Sequence, residues 1–229
     1  MDSYDNIFYQ EMSKTSSESA RVLVPFLKKN LTFNSVIDIG CGDGQFVSEF
    51  IRHGISEVKG IEGDWILSML DQRKTPWLRI ADLATELTFD TKFDLAICLE
   101  VAEHLDEKYA DTFISNLVKA SDLIFFSAAI PGQGGTNHVN LQYPDYWATK
   151  FAKHGFYMEW DPRELLDGKR GVAPWYQQNC VLYRKSTEDS KLVIFPRTIF
   201  HPDIFPDMQS FFYKARKFPR RLIRRILGF

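Results

Sequence analysis

Three short stretches of the sequence contain residues whose types and spacing suit chemistry. VIDIGCGDG (36–44) places glycines at alternate positions after an apolar run, LEVAEHL (99–105) holds two glutamates and a histidine, and GGTNHVN (134–140) sets a histidine in a glycine-rich loop. A glycine turn lets a ligand approach the backbone closely. Carboxylates beside an imidazole suit proton transfer or metal binding.

The glycine turn differs from the fingerprint of a dinucleotide site. Gly40, Gly42 and Gly44 give the spacing G-x-G-x-G, whereas dinucleotide-binding turns have G-x-G-x-x-G and receive a pyrophosphate on the following helix. Asp38 precedes the first glycine, and Asp43 lies inside the turn. Because two carboxylates would repel a pyrophosphate, the turn favours a ligand with a cationic end.

Two further carboxylates end the next two predicted strands and define the rest of that ligand. Glu62 lies 22 residues after Gly40, where a carboxylate accepts hydrogen bonds from ribose hydroxyls. Asp82 ends the third predicted strand, where it would accept a hydrogen bond from the exocyclic amine of a base. We therefore expect a ligand with an adenine, an unphosphorylated ribose and a cationic amino-acid tail. S-adenosylmethionine has all three.

The pattern of elements predicts a fold that would bring these residues together. Apolar strand-like runs at 35–40, 57–63, 77–83, 93–99 and 122–130 alternate with helix-like segments at 44–54, 64–73 and 105–120. The second half contains a predicted helix closing at Gly155, strands at 155–161 and 179–185, a possible strand at 191–196, and an irregular stretch at 161–178. Such alternation predicts an α/β fold with a parallel sheet covered on both faces. We expect a helical lead-in (1–30), a main domain (31–186) and a C-terminal extension (187–229).

The sequence resembles the class I S-adenosylmethionine-dependent methyltransferases. The resemblance rests on VIDIGCGDG (36–44), VKGIEGD (58–64), RIADL (79–83) and FDLAICLEVAEHL (93–105). It implies a doubly wound, seven-stranded Rossmann-like sheet with strand order 3-2-1-4-5-7-6, strand 7 being antiparallel. It also implies the following cofactor-binding residues: Asp38, Gly40, Cys41, Gly42, Gly44, Glu62, Asp82, Leu83 and Glu100.

The acidic-histidine stretch is open to two interpretations. If LEVAEHL is helical, Glu100, Glu103 and His104 lie on one face. With His138 they could bind Mg²⁺ or Mn²⁺, as their spacing is similar to that of metal-dependent small-RNA 2′-O-methyltransferases and ubiquinone-pathway O-methyltransferases. Alternatively, they order the loop beside the cofactor without a metal, and His138, Glu103 and His104 act in catalysis. In that case His138 is the candidate general base.

Aromatic and amide side chains in the second half indicate a polar acceptor. The candidate substrate residues are Asn140, Tyr143, Trp147, Trp175, Tyr176 and Asn179. Aromatic faces combined with amides suit a sugar ring. The segments 127–147 and 175–179 also resemble a bacterial subgroup of class I methyltransferases found with glycan-assembly enzymes. We expect O-methylation of a sugar or glycan hydroxyl; the alternatives are an RNA 2′-O-methyltransferase, a small-metabolite methyltransferase and a cofactor-binding regulatory protein.

Charge and composition bear on partners and location. The formal net charge is −2, but residues 209–229 contain seven Lys/Arg and no Asp/Glu, which leaves −9 on the rest. The acidic body argues against nucleic acid as a partner. The pattern from Pro219 onward predicts a basic amphipathic helix that could bind an anionic membrane surface. We expect three buried free cysteines, no signal peptide and a cytoplasmic protein, peripheral at the inner face of the membrane if the helix binds there.

Overall fold

A computed structural model describes residues 3–70, 75–186 and 195–206. A seven-stranded sheet runs through them, built from β1 (Ser35–Ile39), β2 (Glu57–Glu62), β3 (Leu78–Ile80), β4 (Leu95–Leu99), β5 (Leu123–Ser127), β6 (Phe156–Trp160) and β7 (Val181–Lys185). The strand order is β3-β2-β1-β4-β5-β7-β6, and β7 runs antiparallel to β5 and β6. The predicted sheet, its order and its antiparallel seventh strand are confirmed.

The central strands are apolar throughout because helices cover both faces of the sheet. Every residue of β4 and β5 is buried. Along β4 the side chains alternate between two core clusters: Leu95 and Ile97 pack on one face, and Ala96 and Cys98 on the other. This is the pattern that a strand shows when it is buried on both sides.

The helices are α1 (Ser3–Asn30), α2 (Gln45–Arg52), α3 (Ala110–Ala120), α4 (Pro144–Ala152), α5 (Arg163–Leu166) and α6 (Pro174–Asn179). The predicted helical lead-in matches α1, which packs beside α2 and buries Leu23, Val24 and Leu27 in one core cluster. The stretch at 161–178, predicted to be irregular, contains the short helices α5 and α6 instead.

Two local predictions were wrong, and the condition that LEVAEHL is helical is not met. Residues 64–73 were expected to form a helix that begins at an Asp64 cap, but the described part is a 3₁₀ turn (Asp64–Ser68) preceded by Gly63, with no side-chain cap. The third strand is shorter than predicted because it pairs on one side only, with β2. LEVAEHL is not an α-helix: Glu100 has a φ of 57°, and only Ala102–His104 forms a 3₁₀ turn.

Cys41, Cys98 and Cys180 are free and buried, as predicted. Two predictions fall outside the described residues. They are the first four residues of the possible strand at 191–196 and the basic C-terminal helix. In the part of the chain that the structure describes, no helix has the length and hydropathy needed to cross a membrane.

Candidate functional site

An open cleft of about 2020 Å³ lies at the carboxyl ends of the parallel strands. The loops after β1, β2, β3, β4 and β5 all contribute to its lining, together with α1, α6 and residues 203–204. Ligands bind at this edge of open α/β sheets, next to the point where the strand order reverses. Here that point lies between β1 and β4.

The glycine turn connects β1 to α2 in a conformation that a side chain would disturb. Gly40, Gly42 and Gly44 all have positive φ, from 52° to 83°. A Cβ on Gly40 would lie 2.4 Å from a methyl of Val101, so the turn and the loop after β4 are in close contact. The amides of Gly40 and Cys41 both donate to the Ile61 carbonyl, which anchors the turn on β2.

Glu62 fixes the relative position of the glycine turn and the loop after β2. Its carboxylate is buried (7% exposed) and accepts hydrogen bonds from the amides of Gly42 and Gly63, each at 2.8 Å, and from the Trp65 indole at 3.1 Å. A carboxylate held by two backbone amides keeps a fixed direction and retains lone pairs for further donors. Glu62 lines the cleft, as expected for a residue that accepts ribose hydroxyls.

Asp38 lies beneath the turn, on the floor of the cleft. It is 4% exposed, and burial raises its pKa well above the ordinary range, with a further contribution from the charge of Glu62. A cationic ligand group would offset this cost, because an opposite charge favours the ionised carboxylate.

Asp82 and Leu83, the two residues predicted to lie beside the adenine, differ in their exposure. Leu83 is buried and lines the cleft, whereas Asp82 is exposed and uses one carboxylate oxygen to accept the Ala84 amide at 2.9 Å. Asp82 also lines the cleft, and its other oxygen remains available to a base.

The N-terminal helix contributes a part of the site that the sequence analysis missed. The Ser13 hydroxyl donates to Asp43, and the Gln45 amide donates to both Asp43 (2.9 Å) and Ser13 (3.0 Å), which ties α1 to the glycine turn. The hydroxyl-rich run of 13–19 within a predicted helix was the available signal, because such residues disfavour a helix interior unless they bond elsewhere.

Glu100 directly follows β4, and two side-chain amides hold its carboxylate. We call Glu100, Gln133 and Asn179 the Glu100 network. Its carboxylate oxygens accept from Gln133 (2.8 Å) and Asn179 (3.1 Å), and its backbone amide donates to Ser127. Burial raises the pKa of Glu100, and the amide hydrogen bonds oppose that rise. A positive φ at a residue other than glycine persists only where the surroundings enforce it, and these bonds provide that constraint.

Glu103, His104 and His138 form a compact cluster. Their ligand atoms lie within 4.8 Å of one another, and the two imidazole rings meet edge to face at 4.8 Å. Glu103 is fully buried, and no described residue makes a hydrogen bond of good geometry to either of its carboxylate oxygens, although the Ala129 backbone and the Glu100 carboxyl lie near enough to influence its pKa. Glu100 is not part of this cluster, so the structure joins three of the four residues predicted as metal ligands.

The titration of the cluster follows from its burial. Desolvation raises the pKa of Glu103 well above its usual range, and the charge of Glu100 raises it further. Desolvation lowers the pKa of both imidazoles; the charge of His104 lowers that of His138 further. Both histidines are therefore neutral at pH 7, and a neutral imidazole can accept a proton.

The loop after β5 carries His138 and is fastened to Glu103. The amides of Val139 and Asn140 both donate to the Glu103 carbonyl, at 2.9 and 3.0 Å. A Cβ on Gly135 would lie 2.1 Å from the His138 ring, so this glycine makes room for the imidazole.

The predicted substrate residues are divided between the cleft and the core. Trp175 and Tyr176 line the cleft, and Asn179 reaches it through Glu100. Asn140 is buried behind the loop, and Tyr143 is exposed just before α4. Trp147 is 2% exposed in the core cluster that contains Phe126, so the structure does not bring it to the cleft.

Comparison with known proteins identifies the family. Residues 12–159 match the profile of the family described as Methyltransferase domain. The chain belongs to that family. The predicted class of S-adenosylmethionine-dependent methyltransferase is thus confirmed at the level of the family, and the matched range contains the glycine turn, Glu62, Glu103 and His138.

One curated relative of this chain is an O-methyltransferase. The ubiquinone biosynthesis O-methyltransferase of Neisseria meningitidis serogroup C is 26% identical over 150 residues, which cover 61% of this chain and 58% of the relative. The chain therefore matches less than two thirds of that relative's length.

Two solved structures share the fold. Magnesium protoporphyrin IX methyltransferase from Synechocystis PCC 6803, with bound S-adenosylhomocysteine, has a TM-score of 0.55 at 20% identity, covering 75% of this chain and 84% of that one. The glycopeptide N-methyltransferase MtfA complexed with sinefungin has a TM-score of 0.54 at 14% identity, covering 72% and 92%. At these identities the likeness concerns the fold alone.

Proposed function

We propose that the protein transfers the methyl group of S-adenosylmethionine to a hydroxyl group of a sugar or glycan. One observation carries the proposal: the Glu103–His104–His138 cluster lines the same cleft as the glycine turn and Glu62. A base is thus available next to a site whose donors and acceptors suit the cofactor. O-methylation needs such a base, because the acceptor hydroxyl must lose its proton.

In the proposed reaction the methyl group passes directly from the cofactor to the acceptor, and the protein forms no covalent intermediate. As the acceptor oxygen forms its bond to the methyl carbon, the bond between that carbon and the sulfonium breaks, and neutral S-adenosylhomocysteine leaves. The hydroxyl proton passes to the imidazole of His138. Asp38 lies where it would attract the cationic end of the cofactor, and Glu62 would hold the ribose, so the protein contributes mainly orientation.

A hard divalent cation is the second way to activate the hydroxyl, and the residues of the cluster fit one. Among the described residues, the two buried oxygens of Glu103 and Nδ1 of His138 have no hydrogen-bond partner of good geometry. Glu103, His104 and His138 would hold Mg²⁺ or Mn²⁺, which would lower the pKa of the acceptor hydroxyl. A chelator would then abolish turnover and either ion would restore it; turnover that survives the chelator would leave His138 as the base alone.

Two observations support the acceptor class. Trp175 and Tyr176 line the cleft beside the amides of the Glu100 network, and aromatic faces with amides suit a sugar ring. The segments 127–147 and 175–179, which resemble the glycan-associated subgroup, include these residues. The experiment is a mass-spectrometric comparison of glycans and polar metabolites from cells with and without the gene. A glycan that lacks one methyl group in the deletion supports the proposal, and an unchanged glycan profile argues against it.

The similarity to a ubiquinone biosynthesis O-methyltransferase supports a second candidate, a small hydroxylated metabolite as acceptor. The same comparison separates the two candidates, because the methyl difference would then appear among the metabolites and not among the glycans.

A further inference from the structure

Residues 195–206, which we call the strap, cross the molecule beside the cleft and contribute Asp203 and Ile204 to its lining. The family match ends at residue 159, so the strap and α6 both lie beyond the matched range.

The strap is anchored by buried side chains. Arg163 is 1% exposed, pairs with Asp161 at 2.6 Å and donates to the Arg197 carbonyl at 2.6 Å. The His201 amide donates to the Gln178 side-chain oxygen at 2.7 Å, and His201 itself is 7% exposed. Hydrogen bonds that involve a buried charge are among the stronger ones, so the strap is held in one position.

Gln178, which accepts the strap amide of His201, is also hydrogen-bonded to the Glu100 network. The Gln178 amide donates to Gln133 and to Asn179, each at 3.0 Å, and both of these donate to the Glu100 carboxylate. Gln178 is 1% exposed, and both ends of its amide are in use. A chain of hydrogen bonds therefore runs from the strap to the carboxylate at the end of β4.

The strap also contacts the loop that carries His138. A Cβ on Gly132 would lie 3.1 Å from the Phe205 ring, so the ring lies directly against this loop. The strap thus borders the side of the cleft that holds Glu100 and His138, whereas the glycine turn follows β1 and Glu62 ends β2.

Asp203 is the strap residue that is free to meet a ligand. Its carboxylate is 72% exposed and lies 3.9 Å from His201 Nδ1. That nitrogen accepts the Asp203 backbone amide at 3.2 Å, and its 3.9 Å distance from the carboxylate is too long for a hydrogen bond. A free carboxylate on the lining can accept hydrogen bonds from the hydroxyl groups of a ligand.

We propose that the strap forms the acceptor-side wall of the cleft, with Asp203 selecting a hydroxylated acceptor and Gln178 acting as a positioning residue for Glu100. The proposal rests on the methyl-transfer function proposed above. It predicts that changes in the strap alter acceptor use and leave cofactor binding unchanged.

The test uses the full chain, trideuteromethyl-labelled S-adenosylmethionine, and an extract of cells that lack the gene as the source of unmethylated acceptor. Titrating the extract gives the half-saturating amount and the maximal rate. For Asp203→Asn we expect the half-saturating amount to rise about fivefold or more at an unchanged maximal rate, because only acceptor binding loses a partner. Asp203→Glu, which keeps the carboxylate, should restore most of the loss.

For Gln178→Glu we expect the maximal rate to fall about 10- to 100-fold, since the carboxylate still accepts the His201 amide but cannot donate to Gln133 and Asn179. S-adenosylhomocysteine affinity, measured by calorimetry, should be unchanged in Asp203→Asn, because Asp203 has no contact with Glu100 or the glycine turn among the described hydrogen bonds. The matched control is Glu164→Gln, which removes only the exposed ion pair between Glu164 and Arg197 on the outer side of the strap. It should behave like the wild type in every measurement.

Wild-type kinetics in Asp203→Asn would overturn the acceptor-wall proposal. This test does not depend on whether Gln178→Glu folds. Because Asp203 is exposed, the Asp203→Asn variant should fold normally. Lost S-adenosylhomocysteine affinity in Asp203→Asn would also overturn it, because the strap would then belong to the cofactor site. A wild-type protein that binds S-adenosylhomocysteine but labels nothing would contradict the methyl-transfer function itself. The inference would fall with that function.

Discussion

Glu62 is the side chain on which the cofactor geometry depends most. It accepts hydrogen bonds from two backbone amides and an indole N–H while lining the cleft, so it holds two loops together at the proposed cofactor site. In Glu62→Gln, the side-chain NH₂ would face either the Gly42 or the Gly63 amide, placing two donors against each other. We expect S-adenosylhomocysteine affinity to fall by about 1–3 kcal/mol, roughly 5- to 150-fold.

Calorimetry measures this loss directly. The control is Asp90→Asn, which removes an exposed carboxylate that does not line the cleft. Equal affinity in wild type and Glu62→Gln would remove Glu62 from the cofactor site.

His138 is the side chain on which the proposed proton transfer depends. We expect His138→Ala to reduce turnover by roughly 10²- to 10⁴-fold, the usual contribution of a general base, with little change in S-adenosylhomocysteine affinity. Steady-state rates with the acceptor and calorimetry with S-adenosylhomocysteine provide the two readings. Full activity in this variant, with and without a chelator, would rule out both roles of His138.

The pH profile gives an independent check. Burial and the charge of His104 both lower the pKa of His138, so its neutral form persists below the ordinary histidine pKa. If His138 is the base, kcat/KM should be at its full value at neutral pH and fall only below about pH 6.5, as the imidazole becomes protonated. His104→Gln removes one cause of the lowered pKa and should move the acid limb to higher pH. An acid limb that does not move would show that the two rings are not coupled.

Residues at the ends of strands could be predicted from the sequence, and residues that reach the site from elsewhere could not. Asp38, Glu62 and Leu83 directly follow or end apolar runs, and the fold brings such positions to one edge of the sheet. Gln178 acts through a contact 45 residues away in the chain, and no local pattern marks it. Ser13 reaches the glycine turn through a contact 30 residues away, and only the hydroxyl-rich run 13–19 points to it. Trp147 was predicted as a substrate residue because it is aromatic and follows a functional loop, but it packs in the core.

The loop after β5 has a shape that is set by its glycines. Gly134 and Gly135 both have positive φ, so a side chain strains the backbone at either position. Only at Gly135 would the new Cβ meet the His138 ring, because the space beside Gly134 is open. Gly135→Ala should therefore lower turnover strongly, while Gly134→Ala shows the cost of strain alone, about 1–2 kcal/mol.

Turnover and thermal unfolding of the two variants separate the effects. We expect similar losses of Tm in both variants and a loss of turnover that is much larger in Gly135→Ala. Equal turnover in the two variants would mean that His138 has room to move without losing its role.

The elements themselves were predicted best where the hydrophobic pattern was long. α1, α2 and all seven strands appear near the expected positions. Residues 99–105 do not form a helix, because tertiary contacts override the helical spacing there. Glu100 leaves the helical region because its amide and carboxylate are held by Ser127, Gln133 and Asn179, which are distant in sequence.

For the molecule as a whole, the excess of positive charge is concentrated in the C-terminal 21 residues, which contain seven Lys/Arg and no Asp/Glu. These residues lie outside the described part of the chain. We expect removal of residues 219–229 to reduce binding to anionic vesicles while leaving S-adenosylhomocysteine affinity unchanged. Four arginines alternate with apolar residues there, and each basic residue near an anionic surface contributes about 1 kcal/mol. Co-sedimentation with anionic and neutral vesicles at low and moderate salt tests this. Equal binding by both forms of the protein would exclude the tail as a membrane anchor.

The central claim is that the cleft at the carboxyl edge of the sheet holds S-adenosylmethionine, and calorimetry on the intact protein tests it most directly. The G-x-G-x-G turn, buried Asp38 and the amide-held Glu62 suit a ligand with a ribose and a cationic tail, and they oppose a pyrophosphate. We expect S-adenosylmethionine and S-adenosylhomocysteine to bind at a single site and NAD to bind at least about 100-fold more weakly. Tighter binding of NAD, or no binding of S-adenosylmethionine, would contradict the account.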